Sequence, residues 1–357
     1  MAHYQVSVAR DAEPVVSFRS NPRNSFFEQA FNPSWIASSP GVPAGLLVRT
    51  QNCSAPPGQC VHCKGDGLNA SVMSFARLIG NDGTGDRPVF APIDNSSIVF
   101  GPHDDTDDLG TEDPRIVFDK MSGTYIMYYT CYNAGRSTQP RVALCLATSP
   151  QPTRADRWTR HGPVGLPAGS KSGALLLHPH GSDEAKPEHL LYWGSGIIRL
   201  SRSRDLSSWP LGIPFITNTS WGNQRVEPGP PPMQLSSGDW ILFHNSWNEA
   251  FPDPPGYQPA WAILSASDPS RIVQRATQPL WSPQEADWMR GVPPASCNVP
   301  NVAFVQAAHP ITRSTARRTE AVDSFRVYFG GADAVVGTAV ITVTHHLQPR
   351  PRLRSRT

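Results

Sequence analysis

The chain has 357 residues, of which 17% are charged and 37 are proline, and its formal net charge is +2. This length accommodates one large domain or two ordinary ones, and the composition argues against long surface helices. The near-neutral charge gives no indication of a nucleic-acid partner. No apolar run approaches the length of about 18 residues that a membrane-spanning helix needs, so no membrane span is expected.

The two ends of the chain differ in composition from its middle. Residues 1–24 carry none of the repeated pattern described below, so they are expected to form an N-terminal extension. They lack the basic and apolar regions of a signal peptide. Residues 346–357 are rich in arginine and are expected to form a basic, disordered tail. The catalytic or binding domain is therefore expected within residues 25–345.

Short β-rich segments follow one another in a repeated order, separated by Gly, Pro, Asp and Ser. Each unit contains a strand, a loop, a second strand, a polar turn and an outer strand. Paired strands are predicted at 45–49 and 72–76, 123–130 and 141–149, 189–193 and 197–203, 239–244 and 260–267, and 325–329 and 337–343. A period of about 50 residues with about four strands is typical of propeller blades. A β-sandwich with long insertions is the alternative, but it leaves the repeated order unexplained. The pattern predicts an all-β fold, a five-bladed β-propeller.

One stretch, residues 110–116 (GTEDPRI), places Glu112 and Asp113 beside Pro114 and Arg115. Proline disfavours helical backbone in the residue before it, so Asp113 is expected to be extended with its carboxyl group held in one direction. An acid catalyst requires such a fixed direction. A turn with a solvated acidic face is the simpler explanation, because four more aspartates lie between 104 and 108. In a propeller, however, this stretch enters an inner strand beside the central channel.

Polar residues occupy equivalent places in several of the predicted blades, near the start or the end of an inner strand. They are Asn32, Arg49, Asp113, Lys171, Glu227, His244 and Asp333. The chain contains no serine nucleophile elbow, no phosphate-binding P-loop and no dinucleotide fingerprint. Carboxylates, cations, ten Trp and eight Tyr remain, and aromatic rings of this kind stack on sugar faces. Each residue alone also has an ordinary explanation, such as a solvated surface lysine at Lys171 or a core imidazole at His244.

The six cysteines give no decisive pattern. Cys60 and Cys63 form a CxxC that encloses His62, and Cys53 lies nearby. A zinc site needs a second ligand pair, and none follows at a suitable spacing, so a local disulfide is the alternative. Four Asn-X-Ser/Thr sequons and the clustered cysteines favour secretion, whereas the missing signal peptide favours the cell interior. The compartment therefore stays open.

Five segments, in order, resemble glycoside hydrolase family 130, the β-mannoside phosphorylases and β-mannosidases. They are residues 31–33 with Arg49, residues 110–116, residues 146–149 with Trp158 and residues 162–163, residues 229–233 with Trp240 and His244, and residues 301–304 with residues 328–333. The resemblance covers roughly residues 25 to 345 and implies a five-bladed propeller. It also implies that the substrate is a manno-oligosaccharide, with β-1,2-mannosides cleaved from the non-reducing end and inverted at the anomeric carbon.

The same resemblance implies roles for individual residues. Asp113 is the general acid, and its proton is thought to reach the glycosidic oxygen through a hydroxyl of the mannose. Residues expected to hold the mannose are Asn32, Arg49, Arg115 and Asp333. No metal or organic cofactor is implied. A phosphorylase uses inorganic phosphate as co-substrate, and its ligands here would be Arg141, Lys171 and His244, with Arg136 as an addition.

The choice between water and phosphate depends on Glu227. A hydrolase that inverts needs a second carboxylate as base, and Glu227 stands before the Gly-Pro-Pro-Pro segment where phosphorylases commonly have a small residue. Residues 192–195 also lack the arginine found in many relatives. Hydrolysis is therefore the favoured hypothesis and phosphorolysis the alternative. A non-catalytic sugar-binding propeller is the rival of a different class.

Overall fold

The chain is built almost entirely of strands. The structure is a computed structural model, and it describes residues 3–17, 29–51, 70–83, 87–133, 141–177, 188–221, 225–249, 255–291, 299–313 and 320–346. Its first strand, β1 (Tyr4–Arg10), pairs with the last one. The remaining strands form five antiparallel sheets that follow one another along the chain.

In each of the first three sheets, one strand lies next to the centre of the ring and the other strands follow outwards. Sheet one contains β2 (Gln29–Ile36), β3 (Gly45–Gln51), β4 (Val72–Asn81), β5 (Pro88–Phe90) and β6 (Ile98–Phe100). Sheet two contains β7 (Gly110–Asp119), β8 (Thr124–Tyr132), β9 (Val142–Ser149) and β10 (Thr159–Pro163). Sheet three contains β11 (Ala174–Leu176), β12 (His189–Trp193), β13 (Ile198–Ser203) and β14 (Ile213–Ile216).

The last two sheets complete the ring. Sheet four contains β15 (Arg225–Pro228), β16 (Met233–Gln234), β17 (Trp240–Asn248), β18 (Gly256–Leu264) and β19 (Ile272–Arg275). Sheet five contains β20 (Ala303–Arg313), β21 (Glu320–Gly331) and β22 (Val335–His346), with β1 at its outer edge. The only α-helix in the described residues is a single turn, α1 (Asp287–Arg290), and none of these residues forms a helix long and apolar enough to cross a membrane. The predicted five-bladed β-propeller is confirmed.

One prediction about the N-terminus needs correction. Residues 1–24 were expected to form an extension, but β1 lies inside this segment and is the outermost strand of blade five. Its register with β22 runs from Tyr4 opposite His345 to Arg10 opposite Ala339. The ends of the chain therefore close the ring together. The repeat pattern missed this strand because β1 precedes the first blade in sequence and pairs more than 300 residues away.

The core lies between neighbouring blades rather than at the centre of the ring. Successive side chains of a strand point to opposite faces, so each sheet can bury both of its faces against the sheets beside it. Along β17, Ile241 and Phe243 pack with Val305 and other residues of blade five, whereas Leu242 packs with residues of blade three such as Leu190. The central channel is thereby left for polar side chains.

A disulfide bond joins the two middle strands of blade two. It links Cys131 of β8 to Cys145 of β9, and both side chains are buried. The cysteines considered in the sequence, Cys53, Cys60 and Cys63, lie outside the described residues. Structural disulfides are typical of proteins that fold in oxidising compartments.

Removal of this disulfide is expected to reduce the free energy of unfolding by about 3 kcal/mol, since the cross-link closes a short loop of the unfolded chain. The Cys131→Ala/Cys145→Ala double variant and the wild type should be compared by urea unfolding. Wild type treated with a reductant should approach the stability of the variant. Equal midpoints for the oxidised wild type and the double variant would contradict this expectation.

Candidate active site

The predicted catalytic stretch lies where an inner strand begins and its pairing shifts. The register of β7 against β8 shifts between Glu112 and Arg115, and the register of β2 against β3 shifts at the matching place, around Asn32. Asp113 has φ 52° and Asn32 has φ 47°, both in the left-handed region. The expectation that Pro114 holds Asp113 in an extended conformation is therefore wrong. The shift in register turns the backbone, and Asn and Asp tolerate this conformation better than most residues do.

Asp113 accepts hydrogen bonds from two of the residues predicted to hold the mannose, Asn32 and Arg49. Asn32 Nδ2 donates over 2.9 Å and Arg49 Nη1 over 3.2 Å, and both reach the same oxygen, Oδ1. Oδ2 has no hydrogen-bond partner within the described part of the chain, which leaves it for a ligand. Arg49 also bridges to the neighbouring carboxylate, because its Nη2 lies 2.8 Å from Glu112 Oε1. The guanidinium of Arg49, from blade one, therefore fixes two acidic side chains of blade two.

The carboxyl groups around Arg49 differ in their tendency to ionise. Burial opposes ionisation of Asp113, but the charges of Arg49, Lys171 and Arg115 and the bond from Asn32 outweigh it and lower its pKa. Burial raises the pKa of Glu112 and raises that of Asp333 to about 7, despite the attraction of Arg49. The site thus holds one carboxylate that is firmly ionised beside a carboxyl group that carries a proton near neutral pH.

Glu227 lies on β15 of blade four and is almost fully buried. It accepts hydrogen bonds from Ser172 Oγ and Ser195 Oγ, each at 2.9 Å, and from the hydroxyl of Tyr257. Lys171 Nζ lies 3.9 Å from Glu227 Oε2. The charge of Glu227 raises the pKa of Lys171, with further contributions from Asp113 and Glu112. Lys171 is therefore a cation that interacts with both Glu227 and Asp113.

Arg115 was expected to hold the mannose, but the structure gives it different contacts. Its Nε donates to the carbonyl of Gly229 over 2.8 Å, its Nη2 to that of Pro228 over 2.9 Å, and its Nη1 to that of Asp113 over 3.1 Å. The side chain is 1% exposed. Burial lowers its pKa to about 10, so it stays charged at neutral pH. Arg115 crosses from blade two to blade four and forms part of the floor beneath the site.

Gln306 contributes to the same floor from blade five. Its Nε2 donates to the carbonyl of Asn32 over 2.9 Å and to that of Pro114 over 3.0 Å. Ser34 joins blades one and two at this level, because its Oγ accepts the Ile116 amide over 2.9 Å. These bonds satisfy the backbone where Asn32 and Asp113 leave the regular strand geometry.

Replacement of Arg115 by methionine is expected to destabilise the fold by about 3 kcal/mol or more. Methionine has a similar length but no donors, so three buried carbonyl groups lose their partners. Urea unfolding of Arg115→Met measures the effect. Arg157→Met is the matched control, because Arg157 is half exposed and its loss should change stability by less than about 0.5 kcal/mol. Equal losses in the two variants would show that Arg115 does not support the floor.

Comparison with known proteins identifies the family to which this chain belongs. A family model described as beta-1,4-mannooligosaccharide phosphorylase matches residues 92–348. The chain belongs to glycoside hydrolase family 130. Family 130 includes phosphorylases and hydrolases, so this chain is an enzyme of one of these two kinds.

Two relatives from Thermoanaerobacter sp. (strain X514) are similar in sequence to this family 130 chain. The 1,2-beta-oligomannan phosphorylase is 30% identical over 236 residues, which cover 65% of this chain and 68% of that protein. The beta-1,2-mannobiose phosphorylase is 28% identical over 240 residues, with 65% and 67% covered.

Solved structures share the fold of this chain. A glycosyl hydrolase from Bacteroides ovatus superposes with a TM-score of 0.65 at 21% identity, over 94% of this chain and 93% of its own. Another structure was solved in work on family 130 glycoside hydrolases that target β-1,2 mannosidic linkages in Candida mannan. It superposes with a TM-score of 0.66 at 22% identity, with 94% and 93% covered.

The phosphate ligands expected in a family 130 phosphorylase are only partly assembled. Lys171 lies in the site, as described above. Arg141 is exposed, and its guanidinium carbon lies 5.7 Å from the ring centroid of Tyr132. None of its contacts within the described residues is with Asp113 or Glu227. Burial and the charge of Arg275 lower the pKa of His244 to about 3, so the imidazole is neutral, and its Nδ1 has no partner in the described residues. Arg136 lies outside the described residues.

Three site residues of this family 130 enzyme were missed in the sequence: Ser172, Ser195 and Tyr257. Ser172 directly follows Lys171, so its position next to a predicted site residue could have marked it in the sequence. In the structure its backbone has φ 60°. Ser195 and Tyr257 lie 32 and 30 residues from Glu227. No local pattern marks them, because their function depends on how blades three and four meet. No group of three or more His, Cys, Asp or Glu side chains in the described residues is arranged to hold a metal ion.

Proposed function

We propose that this enzyme hydrolyses β-linked mannosides with inversion of the anomeric carbon, taking β-1,2-manno-oligosaccharides from the non-reducing end. The observation that carries the proposal is the buried carboxylate of Glu227, which accepts three hydroxyl hydrogen bonds and faces Lys171. A hydrolase that inverts needs two carboxyl groups, one as acid and one as base. Asp113 of blade two and Glu227 of blade four supply such a pair.

In this reaction Glu227 takes a proton from water as the water oxygen attacks the anomeric carbon. The bond from that carbon to the glycosidic oxygen breaks, and the leaving oxygen gains a proton that comes from Asp113 through a hydroxyl of the sugar. Asn32, Arg49 and Asp333 line the same end of the channel and bind the mannose. Arg115 acts indirectly, since its bond to the carbonyl of Asp113 fixes the acid. No metal or organic cofactor takes part in the proposal.

Charge at Glu227 is the main argument against phosphate as the attacking group. Two like charges 4 Å apart repel each other by about 4 kcal/mol at the effective dielectric of a protein surface. Lys171 forms an ion pair with Glu227 within the described part of the chain, and it already balances that carboxylate. Arg141 is exposed and His244 is neutral, so neither adds a positive charge to the site.

Phosphorolysis is the second candidate, because both Thermoanaerobacter relatives are named as phosphorylases. It would use Lys171 and the hydroxyls of Ser172, Ser195 and Tyr257 around phosphate, with Arg141 and His244 in supporting positions. This role requires Glu227 to be protonated or displaced.

The deciding experiment is incubation of β-1,2-mannobiose with the enzyme, with and without inorganic phosphate. Proton NMR follows the anomeric products. Equal release of mannose under both conditions, with the α-anomer formed first, is the result expected of the hydrolase that we propose. Formation of α-mannose 1-phosphate, with little turnover when phosphate is absent, would overturn hydrolysis in favour of phosphorolysis.

The rate of hydrolysis is expected to fall as the pH rises towards neutrality. Asp113 must be protonated to act as an acid, and its surroundings lower its pKa. Because kcat/KM reports the ionisation of the free enzyme, its basic limb should lie below pH 7. Asn32→Gly removes one bond to the ionised form while keeping the left-handed backbone, so this limb should move to higher pH. A basic limb that is unchanged in Asn32→Gly would contradict the assignment.

A further inference from the structure

The two oxygens of Glu227 have different surroundings. Oε1 accepts from Ser195 Oγ at 2.9 Å and from the hydroxyl of Tyr257. Oε2 accepts from Ser172 Oγ at 2.9 Å, with Lys171 Nζ at 3.9 Å. A carboxylate oxygen has two lone-pair positions. Among the described residues, Oε1 therefore has both of its positions filled, whereas Oε2 has one hydroxyl donor and the ammonium group of Lys171 beside it.

The three hydroxyl groups are held in place by their own elements. The ring of Tyr257 packs edge-on against Trp247 at 4.9 Å and against Phe304 at 5.1 Å, measured between centroids. Ser172 has the left-handed backbone described above. Ser195 lies in the loop after β12, and the next residue, Gly196, accepts the Val226 amide over 2.8 Å. That bond ties the loop of Ser195 to the strand that carries Glu227.

The direction of these hydrogen bonds follows from the protonation of the donors. Burial and the charge of Glu227 raise the pKa of Tyr257 above its usual range, so its hydroxyl keeps the proton. Serine hydroxyls do not ionise near neutral pH. All three hydroxyls must therefore donate to the carboxylate oxygens of Glu227.

We infer that Ser172, Ser195 and Tyr257 are positioning residues that occupy Glu227 Oε1 and leave Oε2 as the atom that takes the proton from water. The inference rests on the proposed hydrolysis. In the step, one O–H bond of water breaks, its proton goes to Oε2, and the water oxygen bonds to the anomeric carbon. Lys171 lies beside Oε2 and balances the negative charge before the proton arrives. Tyr257 and Ser195 keep the carboxylate from rotating its other oxygen into this position.

Loss of one donor to Oε1 has a specific effect on the pH profile. Without the Tyr257 hydroxyl, the ionised form of Glu227 loses a bond and becomes more basic. In Tyr257→Phe, the acidic limb of kcat/KM for hydrolysis should therefore move to higher pH by about one unit. We expect kcat at the optimum to fall about tenfold, because a freed Oε1 lets the carboxylate turn away. KM for β-1,2-mannobiose should change little, since Tyr257 acts through Glu227.

Tyr192→Phe is the matched control. Tyr192 is also a buried tyrosine, but its hydroxyl donates to the carbonyl of Pro269 over 2.8 Å, away from the site. It should alter stability without moving the acidic limb. Ser195→Ala is a second variant that should move the limb in the same direction as Tyr257→Phe. A limb that is unchanged in both variants, or moved equally in Tyr192→Phe, would overturn the inference.

A measurement without turnover separates this inference from the proposed function. Carbon-13 NMR of enzyme labelled at the glutamate carboxyl carbons follows the titration of Glu227, whose signal is assigned by its loss in Glu227→Gln. Tyr257→Phe should raise the midpoint of that titration even where the products show phosphorolysis. An unchanged midpoint would contradict the positioning role, whereas a requirement for phosphate would contradict only the hydrolysis.

Discussion

Turnover of β-1,2-mannobiose is expected to fall about 10³-fold when Asp113 is replaced by asparagine, because the variant has no proton to donate to the glycosidic oxygen. Asparagine accepts the left-handed backbone at this position, so the fold should be kept. Its carbonyl oxygen can still accept from Asn32 and Arg49. Sugar binding, measured by isothermal titration calorimetry, should therefore be largely retained while the initial rate collapses.

Asp105→Asn is the matched control for this experiment, since Asp105 is an exposed acid in the loop just before β7. Its turnover should equal that of the wild type. Retained turnover in Asp113→Asn would contradict the assignment of the acid, and Asp333 is the first residue to test in that case, because its pKa of about 7 keeps a proton near neutrality. Sugar binding with no turnover in the wild type under any condition would favour the non-catalytic propeller.

The fold was largely predictable because its signal is local and repeated. Each blade is a run of antiparallel strands, and the order of the strands across the sheet largely follows their order in the chain. Pattern and spacing therefore sufficed to predict five blades. The closing strand β1 was not predictable in this way, because its partner lies at the other end of the chain and no repeat precedes it.

The site was predictable only where a residue stands in a motif. Asn32, Arg49 and Asp113 lie together as expected, and Lys171 and Glu227 form a pair. The sequence could not show that Arg115 turns inward, since its partners Pro228 and Gly229 lie more than 100 residues away. The predicted backbone for Asp113 was also wrong, because the rule for residues before proline takes no account of the shift in register between β7 and β8.

In the hydrolysis that we propose, the charge of Glu227 decides which nucleophile the enzyme accepts, so its removal should change the reaction itself. In Glu227→Ala, hydrolysis is expected to fall about 10³-fold through loss of the base. The same change leaves Lys171 and the hydroxyls of Ser172, Ser195 and Tyr257 around a space without a carboxylate. Phosphate suits such a space, because its oxygens accept hydrogen bonds from hydroxyls and pair with a cation. We therefore expect α-mannose 1-phosphate from β-1,2-mannobiose when phosphate is supplied to this variant.

Thermal stability provides a second test of whether phosphate takes the place of the Glu227 carboxylate. Loss of the carboxylate leaves buried hydroxyls without an acceptor, which costs about 1–3 kcal/mol, and bound phosphate should restore part of it. Phosphate at about 100 times its Kd adds about 2.7 kcal/mol to the free energy of unfolding. The Tm of Glu227→Ala should therefore rise with phosphate, whereas the wild type and Glu188→Ala, which removes an exposed glutamate of blade three, should not respond. A phosphate-dependent Tm in the wild type would mean that the anion binds beside an intact Glu227, and the carboxylate would then not be what excludes it.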